Sequence, residues 1–207
     1  MLGIRIKQLK EKLKKLDKQR GMQRRARKRS NVLTVSIVGY TNAGKSTLFN
    51  SLTHETILAE NKLFATLDTT SRKLFIEPGH NIVISDTVGF IKNLPTTLIE
   101  AFKSTLEEAT DSDLLIHVVD ISNNNKSEQI IEVDKILKEI KASTLPQILV
   151  LNQIDKIPLK SMYDRDEYGS ITRIQLSAKN GDGIEFLKQA IVEHNQKQIN
   201  QRNGQYA

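Results

Sequence analysis

The chain has 207 residues, no Cys, no Trp and a formal net charge of +7. That length suits one α/β domain with an appendage, and it can bury a core without staples. The absence of Cys excludes a disulfide framework and fits a reducing compartment, the cytoplasm; no apolar run is long enough for a helix to span a bilayer, and no cleavable signal pattern is visible at the start.

The charge is unevenly placed. Residues 1–29 hold 13 Lys/Arg and 2 Asp/Glu, a net +11, which leaves the remainder of the chain at −4. An arm of that kind seeks a polyanion or an acidic surface. Within it, residues 4–20 carry Ile6, Leu9, Leu13 and Leu16 at spacings of 3, 4 and 3, a short coiled-coil seam or else a solvated charged helix. The same Arg-rich, acid-poor composition also fits an organelle-targeting peptide, although Lys dominates its first half and Leu recurs at heptad spacing. Gly21 breaks the pattern, and Met22 to Ser30 is a basic connector without aromatic residues, suited to phosphate-backbone contact.

Residues 32–39 read as a buried strand, rich in β-branched residues. Directly after it, Gly39-Tyr40-Thr41-Asn42-Ala43-Gly44-Lys45-Ser46 matches G-x-x-x-x-G-K-S, and Lys45 to Leu52 reads as a helix. Strand, glycine loop and helix together form the context of a phosphate-binding loop. Its glycines let backbone N–H groups turn toward phosphate oxygens, with the helix dipole behind them. Lys45 reaches the β- and γ-phosphates, Ser46 ligates Mg²⁺ through its hydroxyl, and Thr47 donates to the α-phosphate.

A polar stretch, 53–71, follows. Strands are expected at 72–77 and 81–86, joined by a turn at Pro78-Gly79-His80. A helix is expected at 95–110, then a strand at 113–120. The next helix, 126–141, has Ile130, Ile131, Val133, Ile136, Leu137 and Ile140 on its inward side. Strands at 146–155 and 173–177 and a helix at 183–198 close the chain. This alternation predicts an α/β fold with a doubly wound, mostly parallel six-stranded sheet and one antiparallel hairpin. The expected organisation is a basic helical arm over 1–30, a nucleotide-binding domain over 31–198 and a disordered tail over 199–207.

Three further motifs narrow the ligand. Asp86-Thr87-Val88-Gly89 ends the third strand as D-x-x-G, its carboxylate holding Mg²⁺ through water and its Gly N–H meeting the γ-phosphate. Asn152-Gln153-Ile154-Asp155 resembles N-K-x-D. A buried Asp155 would accept from guanine N1–H and the 2-amino group, and against adenine it would be left unpaired. Ser177-Ala178-Lys179 resembles the S-A-K loop that reads guanine O6. All lie at strand C-termini, the ligand edge of a doubly wound sheet. Gln153 stands where Lys is usual, and Phe90 stands where many Ras-like GTPases have a water-orienting Gln; slow intrinsic hydrolysis is the expectation. Asn42 has two readings: a ligand for K⁺ beside the β/γ-phosphates, or a loop residue tolerant of unusual backbone angles.

These motifs, together with Leu63-Phe64-Ala65-Thr66-Leu67-Asp68, Asp86 to Ile91, Leu94-Pro95, Thr105 to Glu108 and His117-Val-Val-Asp120, make the chain resemble the GTPase domain of the HflX family in the Obg–HflX group. The resemblance runs through about residues 5–190. It implies a ribosome-associated GTPase, acting on the large subunit and its rRNA to split or rescue stalled ribosomes. It also implies that Thr66 is the switch threonine that completes the Mg²⁺ shell, with Thr53, Thr56, Thr69 and Thr70 as weaker candidates. The family carries a large N-terminal domain joined by a helical pair, of which this chain is expected to hold only the end of the linker. A monomer is expected. The catalytic set is then Lys45, Thr66, Gly89 and, with K⁺, Asn42. The alternative is a nucleotide-gated RNA- or ribosome-binding module with negligible turnover.

Overall fold

A computed structural model describes residues 22, 32–53, 70–78, 80, 82–87, 89, 90 and 103–204. The chain divides into two units, Met1–Val32 and Leu33–Ala207. The expected helical seam at 4–20 and basic connector at 23–30 lie outside the described residues, as do 205–207.

In the second unit the elements are β1 (Leu33–Gly39), α1 (Lys45–Thr53), β2 (Thr70–Leu74), β3 (Ile82–Asp86), α2 (Lys103–Thr110), β4 (Leu114–Asp120), α3 (Lys126–Glu139), β5 (Gln147–Asn152), a 3₁₀ turn (Ile154–Lys156), β6 (Met162–Arg165), β7 (Ile171–Gln175) and α4 (Ile184–Gly204). One sheet runs in the order β2-β3-β1-β4-β5-β7-β6. The five central strands are parallel and the two edges, β2 and β6, are antiparallel. Among the described residues the sheet therefore has seven strands, one more than expected. The added strand, β6, escapes sequence reading because most of its side chains are exposed and its pairing with β7 is irregular between Asp164 and Arg165.

Two layers of apolar side chains cover the sheet. On one face Phe49, Leu48 and Leu52 of α1 and Leu187 and Ile191 of α4 pack on Val35, Ile37, Ile116, Val118 and Val150. On the other, Leu106 and Ala109 of α2 and Val133, Ile136 and Leu137 of α3 pack on Val38 and Leu115, with Phe90 among them. Central strands buried on both faces are continuous apolar runs, which is why β1 and β4 were legible. In α3 the inward side is narrower than expected: Ile131 is 54% exposed, because at about 100° per residue it lies on the side of the helix away from Val133, Ile136 and Leu137. Residues 95–102 of the expected helix lie outside the described residues. At the C-terminus α4 continues to Gly204, taking in most of the expected tail.

β1 has β3 on one side and β4 on the other, so the chain reverses its winding direction at β1. The registers Ile37↔Asp86, Gly39↔Val118 and Asp120↔Asn152 bring Gly39, Asp86, Asp120 and Asn152 to one edge. A crevice at the ends of parallel strands beside such a switch point is where open α/β sheets hold ligands.

His117 lies within this core between Val38 and Leu149, 3% exposed, with its Nε2 unbonded. Burial pushes its pKa down to about 4; Asp134 opposes this and Lys45 adds to it. An ordinary His protonates in the unfolded chain near 6.5, so the unfolded state binds more protons between about pH 6.5 and 4. His117 thus costs stability as pH falls through that window, roughly 3 kcal/mol in full. The variant His117→Leu is expected to lose less unfolding free energy than the native chain between pH 7 and 4 in urea titrations. Parallel pH profiles for the two would contradict this account.

Candidate nucleotide site

The loop between β1 and α1 wraps the N-terminus of α1. Gly44 has φ +90, and a Cβ there would stand 2.3 Å from Asn152 Nδ2. Only glycine admits that backbone and that approach. Lys45, the first residue of α1, is 7% exposed and donates from Nζ to the Tyr40 carbonyl at 2.9 Å. Burial lowers its pKa to about 8, with Asp86 pulling the other way. A buried ammonium short of compensating charge gains strongly from a phosphate placed against it.

Beside it, Ser46 Oγ donates to Asp86 Oδ2 at 2.7 Å. Asp86 is fully buried at the end of β3. A serine hydroxyl and a carboxylate converging at a helix N-terminus are hard oxygen donors, the type that Mg²⁺ takes together with waters and phosphate oxygens. These two residues fit that ion. Gly89 completes this end: a Cβ would lie 2.8 Å from Thr41 Cγ2 and 3.0 Å from Lys45 Nζ. Thr87, expected to face the nucleotide, instead turns its hydroxyl inward to the Ile37 carbonyl at 2.6 Å. Its role is to pin β3 to β1.

Phe90 has a role the sequence did not disclose. Its side chain is 1% exposed within the apolar layer. Its backbone pairs with the phosphate loop as a parallel bridge to Tyr40, with Phe90 N donating to Gly39 O at 3.1 Å and Thr41 N donating to Phe90 O at 2.8 Å. The residue after D-x-x-G is thus a strut under the loop.

The second end of the site is built on β5 and β7. Asn152 is 2% exposed and bonds two loops: Nδ2 donates to Ala43 O at 3.0 Å, and Oδ1 accepts from Ala178 N at 3.0 Å. It serves as a brace within the site. Gln153, in the left-handed region at φ 70, donates from Nε2 to the carbonyl of Asn42, itself at φ 61. The shorter neutral side chain therefore still reaches the phosphate loop. Asn42 is exposed, with its backbone in the left-handed region. Ile154 is buried and anchors the turn. Asp155 is exposed, not buried as expected, and Ser177 Oγ holds its Oδ1 at 2.7 Å. Ser177 also accepts from Asn180 N at 3.1 Å, while Lys179 is exposed. Phe64, Ala65, Thr66, Leu67, Asp68 and Val88 lie outside the described residues.

Removing a buried donor–acceptor brace costs about 1–3 kcal/mol, whereas an exposed bond costs less. Asn152→Ala is therefore expected to lower the unfolding free energy by that amount and Gln153→Ala by under about 1 kcal/mol, measured by urea denaturation. Equal losses would show that Asn152 is not the brace. Gly89→Ala, with its Cβ crowding Lys45 Nζ, is expected to weaken nucleotide binding at least tenfold while the melting temperature moves by a few degrees; unchanged binding would refute the packing argument.

Residues 34–153 match the family described as 50S ribosome-binding GTPase. The chain is 48% identical over 188 residues to GTPase HflX of Caldanaerobacter subterraneus subsp. tengcongensis, covering 90% of this chain and 42% of that protein. It is 44% identical over 194 residues to GTPase HflX of Escherichia coli K12, covering 93% and 46%. It thus spans less than half the length of these curated relatives. A crystal structure of a GTP-binding protein from the archaeon Sulfolobus solfataricus in complex with GDP is 31% identical, with a TM-score of 0.60 over 80% of this chain and 53% of that one. The chain belongs to the 50S ribosome-binding GTPase family and, within it, to the HflX group.

Proposed function

We propose that this chain is a Mg²⁺-dependent GTP-binding and GTP-hydrolysing switch that works in the cytoplasm on the large ribosomal subunit. The observation that carries the reading is the joining of two recognition ends by one side chain. Asn152 bonds the loop of Lys45 and Ser46 on one side and the loop of Ser177 and Ala178 on the other. A ligand with a charged tail and a purine head separated by a sugar suits such an arrangement.

Asp155, oriented by Ser177, accepts from the N1–H and 2-amino group of guanine; adenine offers neither donor. Lys45 and the backbone amides at the start of α1 hold the β- and γ-phosphates. Ser46 and Asp86 would hold Mg²⁺, with Thr66 completing the set by resemblance, and the ion would neutralise charge on the phosphate oxygens. Gly89 leaves space beside Lys45 for the γ-phosphate. Hydrolysis is attack of water on that phosphorus, with Lys45 and the loop amides bearing the developing charge. Phe90 is turned into the core and offers no group to orient the water. Turnover by the chain alone is then slow, and a K⁺ at Asn42 or a contact on the ribosome supplies the remaining stabilisation. The family description and the +11 arm support the ribosome as partner. Among the described residues no helix is long and apolar enough to cross a membrane.

Titration with GTP, GDP and ATP tests the nucleotide reading: GTP and GDP are expected to bind at least a hundredfold more tightly than ATP. In Asp155→Asn the acceptor becomes a donor, so preference is expected to move toward xanthosine triphosphate, whose 2-position is a carbonyl. Phosphate release is expected to rise with added 50S subunits and to be faster in K⁺ than in Na⁺. Tight GTP binding with no stimulation by either would put the second reading first: a nucleotide-gated ribosome-binding module without turnover, which the buried Phe90 favours.

A further inference from the structure

The turn that carries Asp155 is held from two sides. It is a single 3₁₀ turn, Ile154–Lys156, in which neighbouring side chains diverge by about 120°. Asp155 and Lys156 therefore leave it in different directions. Asp155 meets Ser177 beyond β7, its Oδ1 accepting at 2.7 Å, and Ile154 N donates to the Leu176 carbonyl at 3.3 Å on the same side. Lys156 crosses instead to β4, where its Nζ stands 3.6 Å from Asp120 Oδ2. Since β5 lies between β4 and β7, the turn is tethered to both neighbours of its own strand. Among the described residues the Lys156–Asp120 pair is the one side-chain link from this turn to β4.

Asp120 is fixed to receive that lysine. It ends β4 opposite Asn152, and Ser122 donates to its Oδ1 from N at 2.9 Å and from Oγ at 2.6 Å. Those bonds hold the carboxylate and leave Oδ2 to Lys156. The side chain of the acid is 15% exposed and that of the lysine 54%, so one partner is largely shielded from solvent. An ion pair of this kind contributes little to global stability. Its effect is on direction.

A carboxylate that accepts from guanine N1–H and the 2-amino group together must present both oxygens in the plane of the base. Ser177 fixes one oxygen of Asp155, and a tilt of the turn about that bond would carry the other out of plane. The pull of Asp120 on Lys156, from the opposite side, opposes that tilt. We propose that Lys156 and Asp120 are positioning residues for guanine recognition, their ion pair setting the tilt of Asp155. This role rests on Asp155 reading guanine, as proposed above, and acts through it.

The full chain is titrated with GDP and with inosine diphosphate, which keeps N1–H but lacks the 2-amino group. GDP affinity divided by inosine diphosphate affinity reports the aim of Asp155, because the diphosphate is common to both. Lys156→Ala and Asp120→Asn, the latter keeping an acceptor for Ser122, are each expected to lower this ratio about threefold. The double variant is expected to fall no lower than either single one, because both remove the same pair. Lys156→Arg is expected to keep the native ratio. In the native chain the ratio is expected to decline as salt rises, and in Lys156→Ala to stay flat. A native ratio in Lys156→Ala or Asp120→Asn, or losses that add in the double variant, would overturn the pairing. Equal weakening of both nucleotides would overturn it too, by showing a general loosening of the site. A native chain that holds inosine diphosphate as tightly as GDP would strike the guanine reading itself, and this role with it, before any variant is compared.

Discussion

The buried charge pair at the end of β3 is the constraint from which the rest of the site follows. Asp86 is fully buried and Lys45 nearly so. Taking either ion out of water costs several kcal/mol, which only an opposite charge and well-made hydrogen bonds offset. Lys45 is under-compensated, as its depressed pKa of about 8 records; burial outweighs the attraction of Asp86. Its bond to the Tyr40 carbonyl and the Ser46–Asp86 bond tie the loop to β3. The chain therefore stores unfavourable desolvation at the spot where a phosphate would relieve it. Binding energy is available there because the fold has already met the cost of excluding water.

At the other end of the crevice the balance differs. Asp155 and Lys179 are exposed, and the order of that loop comes from Ser177, Asn152 and the backbone bonds around Asp182 and Gly181. Neutral hydrogen bonds to fixed partners hold shape without demanding a counter-charge. Gln153 fits this pattern. Its amide reaches Asn42 as a neutral donor, so base loop and phosphate loop are joined by two successive side chains that carry no charge. On the proposed reading the phosphate end would supply affinity through charge, and the base end discrimination through geometry.

Much of this was legible in the residues because it rests on local chemistry. β1, β4 and β5 announce themselves as apolar runs, and Gly44, Lys45, Ser46, Asp86, Asp155 and Ser177 by motif and spacing. What was not legible depends on contacts distant in sequence. β6 exists because it pairs with β7 and because Arg165 reaches Glu193, 28 residues away, at 2.8 Å. The last turns of α4 are polar, yet they carry Asn195 to His80 at 2.8 Å and Gln198 to Asp113 at 3.2 Å. Asn152 was assigned to the ligand by motif, but its two bonds go to Ala43 and Ala178, partners that only the sheet order brings within reach. Asp155, read from its motif as a buried carboxylate that adenine would leave unpaired, is exposed, and its aim is set by Ser177, a partner 22 residues away.

Phe90 joins the two halves of the argument. Sequence logic marks it as a loss, a position without an amide to steer water. Structurally its side chain fills the layer between Val38, Leu106 and Ala109, while its backbone exchanges two hydrogen bonds with Gly39 and Thr41. Any rearrangement at Gly89 in response to a γ-phosphate is therefore transmitted either into the phosphate loop or into the packing of α2, since the next residue is fixed to both. A polar residue at 90 could swing freely toward a water, but it could not bury itself in that layer without an unmet hydrogen bond. The phenylalanine gives up a polar reach toward the site for a rigid connection between the phosphate loop and the layer under α2.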